Sequence, residues 1–97
     1  MIIRFAPEAD AELAEAREWY SLQREDLDLE FMQCVDDALS GVLRNPHSYP
    51  NIYKTLRRAV IRRFPFAMFY EVTPDEIQVI AVFHSRRDPE IWKSRAE

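Results

Sequence analysis

With 97 residues, 47% of them hydrophobic and 31% charged, the chain has the size for one modest core and the composition of a folded domain, not of a disordered segment. No apolar run approaches the ~20 residues of a membrane-spanning helix, and the opening Met1-Ile2-Ile3-Arg4-Phe5 lacks the apolar region of a signal peptide; one soluble, cytoplasmic domain over residues 1–97 is expected. The net charge of −4 is divided: residues 1–48 hold eleven acids against four arginines and residues 49–97 nine bases against six acids, which predicts an acidic helical surface and a basic sheet surface suited to an anionic partner.

Ile2, Ile3 and Phe5 ahead of Pro7 predict a short strand added to a later sheet. Pro7 then suits the first position of a helix, where its missing N–H has no partner to lose, and Glu8, Asp10 and Glu12 favour the positive end of the helix dipole. Ala9, Leu13, Ala16 and Tyr20 make the inward stripe of this helix, which ends near Arg24, while Glu8, Glu12, Glu15 and Glu18 are expected to face solvent. A turn at Glu25–Asp28 leads to a second helix with Asp26 or Asp28 as its N-cap and Phe31, Met32, Val35, Ala38, Leu39, Val42 and Leu43 at helical spacing. Gly41 costs this helix about 1 kcal/mol relative to alanine, which close packing against the first helix or the sheet would explain. Asn45-Pro46 stops it, because the residue before proline is pushed out of the helical region.

His47 to Lys54 reads as a connecting loop closed onto the core by Tyr49 and Ile52. Dense β-branched and aromatic residues, broken by Pro65 and by Thr73-Pro74-Asp75, predict an antiparallel meander of three strands: Arg57–Phe64, Phe66–Thr73 and Glu76–His84. Strict alternation in the first puts Arg58, Val60, Arg62 and Phe64 on one face and Arg57, Ala59, Ile61 and Arg63 on the other. The other two are apolar on both faces, so helices or further chain should cover much of the sheet. Pro89 opens a last helical turn or two with Ile91 and Trp92.

One cysteine, Cys34, excludes an internal disulfide and reads as a small buried thiol; one glycine excludes a glycine-rich phosphate loop; and His47 and His84 lack metal-ligand spacing, so neither metal nor cofactor is expected. What remains is cationic: Lys54, Arg57, Arg58, Arg62, Arg63, Arg86 and Arg87 interleaved with Tyr53, Phe64, Phe66 and Trp92, a set suited to RNA, DNA or an acidic protein segment. Partner or target binding is expected at Arg57, Arg58, Arg62, Arg63, Arg87 and Trp92. His84, Arg86 and Asp88 alternate at the exit of the third meander strand. An Arg86–Asp88 ion pair is expected to fix that turn, and His84 is open to general acid–base chemistry or to a structural hydrogen bond.

The order of elements resembles the RelE/ParE superfamily of bacterial toxins from type II toxin–antitoxin, or plasmid stabilisation, systems. The resemblance covers essentially the whole chain. It rests on Ala9, Leu13, Trp19-Tyr20 and Phe31 on the helices, Asn45-Pro46, Arg62-Arg63-Phe64-Pro65-Phe66 leading to Phe69-Tyr70-Glu71-Val72, and Ala81-Val82-Phe83-His84-Ser85-Arg86-Arg87-Asp88-Pro89. It implies an α+β fold with a short N-terminal strand, an antiparallel helical hairpin and the meander packed on it. It also implies a cognate antitoxin that wraps the toxin in a hetero-oligomeric complex. RelE-like members cut messenger RNA on the ribosome, which here would fall to Arg58, Arg62, His84 and Arg86. Ala67 and Val60 stand where that branch carries an arginine and a lysine, its terminal tyrosine has no match, with Trp92 the nearest aromatic, and none of the three can stabilise a phosphorane or take a proton. The His84-x-Arg86-x-Asp88 pattern resembles the ParE branch instead, whose characterised members inhibit DNA gyrase by binding; an inert relative that binds only its antitoxin is the third alternative.

Overall fold

The computed structural model describes residues 1–96. Strand β1 (Ile2–Phe5) leads into helices α1 (Pro7–Gln23) and α2 (Leu27–Arg44), then come β2 (Asn51–Tyr53), β3 (Leu56–Ile61), β4 (Phe66–Val72), β5 (Glu76–His84) and the short α3 (Pro89–Lys93). The sheet order is β1-β5-β4-β3-β2, with β1 parallel to β5 and the other neighbours antiparallel. The meander and both long helices thus lie where the sequence puts them. The loop expected at 47–54 contributes a fifth strand, β2, too short to show a period. Among the described residues no helix is long and apolar enough to cross a membrane.

Pro7 occupies the first turn of α1, and Ala6 N–H bonds Val79 O (2.9 Å), so β1 hands the chain to the helix directly off β5. Asp26 precedes α2 at φ 66°, a left-handed residue that turns the chain, and its side chain makes no capping bond although an acidic cap was expected there. The helices cover one face of the sheet. Ala9, Ala16 and Tyr20 from α1 and Phe31, Val35 and Val42 from α2 close on Ala59, Ile61, Met68, Tyr70, Ile77, Val79 and Val82. Phe31 is the hub of an aromatic cluster with Tyr20, Phe64 and Phe66, at centroid distances of 5.0, 5.1 and 5.6 Å.

Strand β5 is apolar on both sides because a core cluster covers each face, and a bulge sets which residues face which. Phe69 pairs with Ala81 and Tyr70 with Val79, so Ile80 is an extra residue. Val79 and Val82 therefore face the helices while Ile80 and Ala81 both join a second cluster with Leu56, Phe69, Phe83 and Trp92 on the opposite face.

The loop after α2 is pinned from several sides. Arg57 Nη1 donates to the carbonyls of His47 (3.1 Å) and Tyr49 (2.7 Å), and Tyr70 Oη donates to Pro46 O (2.8 Å). A Cβ on Gly41 would meet the Tyr49 hydroxyl, so the close packing that Gly41 serves is with this loop, not with α1 or the sheet. Burial pushes the Tyr70 phenol up to about 12, partly offset by nearby Arg57. A phenol raised above its unfolded value of about 10 leaves stability intact below pH 10 and removes it progressively as pH rises toward 12. Urea unfolding at pH 9 and pH 11.5 should therefore show a loss for the wild type that is smaller in Tyr70→Phe. Tyr70→Phe should itself cost about 1 kcal/mol at pH 7, the net worth of the lost hydrogen bond to Pro46.

Candidate target-binding face

Arg62, Arg63, Arg86 and Arg87 gather at one end of the sheet, while Lys54 sits in the β2–β3 turn toward the other. Phe66 pairs with His84, and Ser85 N–H bonds Pro65 O (2.8 Å), so the Arg62–Pro65 turn lies beside the Ser85–Asp88 turn. Strand β3 stops at Ile61 rather than at Phe64, because Arg63 turns the chain at φ 71°. Phe64 accordingly leaves the face of Arg58 and Val60 and enters the helix-side core, against the alternation expected from sequence. Arg63 Nη2 reaches Glu30 Oε1 on α2 at 3.0 Å, and Arg24 takes the other oxygen at 3.0 Å. The Arg63 and then the Arg24 hydrogen bond hold the Glu30 carboxyl below its usual range.

The sheet face opposite the helices has a covered half and an open half. Trp92 from α3, expected from sequence to bind a partner, stacks on Phe69 (centroids 4.3 Å apart, planes at 19°), meets Tyr53 edge-on and is buried. Beyond it the register places Val60 beside Ala67 and Ala67 beside Phe83, with Arg58 one pleat away, and Val60 is 61% exposed. The guanidinium groups of Arg58, Arg62 and Arg86 are exposed and make no hydrogen bond or ion pair among the described residues. An apolar platform with free arginine forks at its border can bind carboxylates, phosphates or an acidic protein surface; Val60 and Ala67 can neither take nor give a proton.

The His84-x-Arg86-x-Asp88 pattern works through the backbone. His84 Nδ1 accepts from Arg86 N–H (3.0 Å), and Asp88 Oδ1 accepts from Glu90 N–H (3.0 Å) as the N-cap of α3. No Arg86–Asp88 pair forms: the Asp88 carboxylate is committed to the helix start, which leaves the Arg86 side chain free. His84 packs edge-on to Phe66 (5.2 Å) on the helix side, away from Arg58, so the four residues of the nuclease reading do not converge. Arg57, also expected to bind a partner, uses its guanidinium to hold the 47–49 loop. Arg87 lies over Phe83 (4.1 Å) and pairs with Glu12 (3.3 Å).

Glu12 is the residue that the sequence reading placed wrongly on the solvent face. Its side chain is only 11% exposed, and it accepts from Val82 N–H (3.0 Å), from both terminal nitrogens of Arg95 (3.0 Å each) and from Arg87. The signal was present: Glu12 lies three residues after Ala9 and four before Ala16, both buried, hence on the margin of the inward stripe. Among the described residues no group of three His, Cys, Asp or Glu side chains is placed to hold a metal ion.

A family model for the ParE toxin of the type II toxin–antitoxin system, parDE, matches residues 3–89. A solved structure of the chromosomal ParDE toxin–antitoxin system from P. aeruginosa is similar at a TM-score of 0.74 and 18% identity, covering 87% of this chain and 95% of that one, a likeness of fold. No curated protein sequence matches significantly. The chain therefore belongs to the ParE toxin family of type II toxin–antitoxin systems.

Proposed function

We propose that this ParE-family chain inhibits a cellular target, such as DNA gyrase, by binding it with the open half of the sheet face, and that a cognate antitoxin neutralises it. The observation that carries the binding reading is the composition of that region: Arg58 on the exposed face of β3 with Val60 and Ala67, Arg62 beside Val60 in a groove that also touches α2, and exposed Arg86 in the turn after β5, with His84 on the opposite side of the sheet. Binding through arginine forks needs no proton transfer, whereas cutting RNA needs a base and an acid near the phosphate. Family membership and the similarity to a ParDE system support an antitoxin partner.

The test is induced expression of the chain alone in bacteria, with DNA supercoiling and messenger ends followed over the first minutes. Growth arrest with loss of supercoiling and a DNA-damage response is expected. Replacing Arg58, Arg62 and Arg86 together with alanine should abolish the arrest while each exposed site changes stability by no more than roughly 0.5 kcal/mol. Codon-spaced messenger cleavage with supercoiling intact would reverse the reading in favour of a ribosome-dependent nuclease.

A further inference from the structure

The open half of the sheet face is a charged surface without an aromatic anchor. Arg58 stands on the exposed side of β3, Arg62 follows at the end of that strand, and Arg86 leaves the end of β5, about 10 Å across the sheet from β3. Lys54 extends the set into the β2–β3 turn, where its Nζ lies over the Tyr53 ring (5.4 Å). None of the four forms an ion pair among the described residues. The acids on this side are each engaged: Glu71 accepts from Thr55 Oγ1 (3.1 Å), Asp88 caps α3 and Glu90 meets Lys93 (3.6 Å). Positive charge is in excess here, in a chain whose net charge is −4. The helices hold the opposite sign, with Glu8, Asp10, Glu15, Glu18, Asp36 and Asp37 exposed and in none of the ion pairs among the described residues.

What this half lacks decides the kind of partner. Phe69, Phe83 and Trp92 are buried in the covered cluster, and Lys54 and Lys93 both lie over the Tyr53 ring. Among the described residues the one large apolar side chain exposed on the open half is Val60. A protein partner is gripped through aromatic and aliphatic anchors in its buried centre, and a single nucleic-acid strand through bases stacked on aromatic faces. This surface has neither. The phosphates on the outside of a duplex need only separated cations, and arginine forks suit them best. A polyanion also repels the acidic helices, so the charge separation turns the sheet face toward it.

We infer that the open half of the sheet face lies against the phosphate backbone of duplex DNA, so that the target is held together with its DNA. The inference rests on the binding reading above. Its test is a fluorescence-anisotropy titration of a labelled DNA duplex of about 20 base pairs with the full-length chain, no target protein being present. Neutralising three phosphates should make Kd rise about fortyfold between about 50 and about 200 mM salt. Arg58→Ala and Arg86→Ala should each raise Kd at least threefold at the lower salt and make the log–log salt slope shallower by about one. Arg17→Ala removes the same charge from an exposed position on α1 and should change neither. All three variants alter exposed residues, and unchanged melting curves check that they fold. An equal loss from Arg17→Ala, tighter binding of the single strand than of the duplex, or no anisotropy change up to about 100 µM chain at the lower salt would each overturn the inference. Supercoiling lost on induction alongside any of these results would keep the binding reading and set the face against the target's own protein surface; supercoiling intact on induction would overturn that reading itself.

Discussion

Replacing Glu12 with alanine should lower the melting temperature of the isolated chain by about 10–20 °C, among the largest losses from any change of a charged residue here. The reason is what the carboxylate leaves behind. Arg95, whose side chain is 18% exposed, would be stranded against Phe83 without its anion, and Val82 N–H on β5 would lose its acceptor. Breaking a buried ion pair from one side costs about 3–5 kcal/mol, and the slight exposure of both partners puts this one at about 3. For a domain of this size each kcal/mol moves the midpoint by about 4–8 °C. Glu12→Gln keeps an acceptor for Val82 N–H and gives up only the charge, so its loss should be intermediate. Arg86→Ala is the control. With no partner for its guanidinium, it should stay within roughly 0.5 kcal/mol of the wild type. A Glu12→Ala melting point within 3 °C of the wild type, read by calorimetry, would show that Arg95 finds another anion and that the edge of β5 needs no plug.

That contrast reverses the expectation drawn from the His84-x-Arg86-x-Asp88 spacing, and the reason is instructive. Two opposite charges two residues apart at a strand end look like a pair, but Pro89 opens a helix immediately afterwards, and a carboxylate just before a helix start is claimed by the free backbone N–H groups. The same kind of competition marks the rest of what the sequence hid. The long apolar periods of α2 and β5 are carried by many residues each, and β5 was legible to its last residue, His84. The end of β3 was not, because Arg63 reverses the chain at a positive φ without the glycine or asparagine that usually signals such a turn. The bulge at Ile80 leaves no mark either, since the strand is apolar before and after it. Of the candidate site, the open arginines Arg58 and Arg62 could be listed from sequence. Separating them from Arg57, whose guanidinium is spent on the His47 and Tyr49 carbonyls, needed the loop in place.

Trp92→Ala should be the second large effect, and it separates a core role from a binding role for the one aromatic in the C-terminal segment. The indole stacks on Phe69 and touches Tyr53, in a cluster where Leu56 and Ala81 are fully shielded. Truncating a large buried aromatic costs about 3–5 kcal/mol, from lost transfer energy and from the cavity left behind. Here the cavity would open to water, because α3 is only five residues long and Trp92 is its one buried residue. Without the indole no buried residue of that helix holds it to the sheet and only Lys93, over the Tyr53 ring, still touches it, so the covered half of the face becomes continuous with the open half at Val60 and Ala67. Thermal unfolding should accordingly drop by on the order of 15 °C, with increased binding of a hydrophobic dye in the native baseline. Trp92→Phe keeps a ring that can stack on Phe69 and should give up less than half of that. Were Trp92 instead a contact for an outside partner, Trp92→Ala would melt like the wild type and show its defect only in affinity, and that result would return the residue to the binding surface.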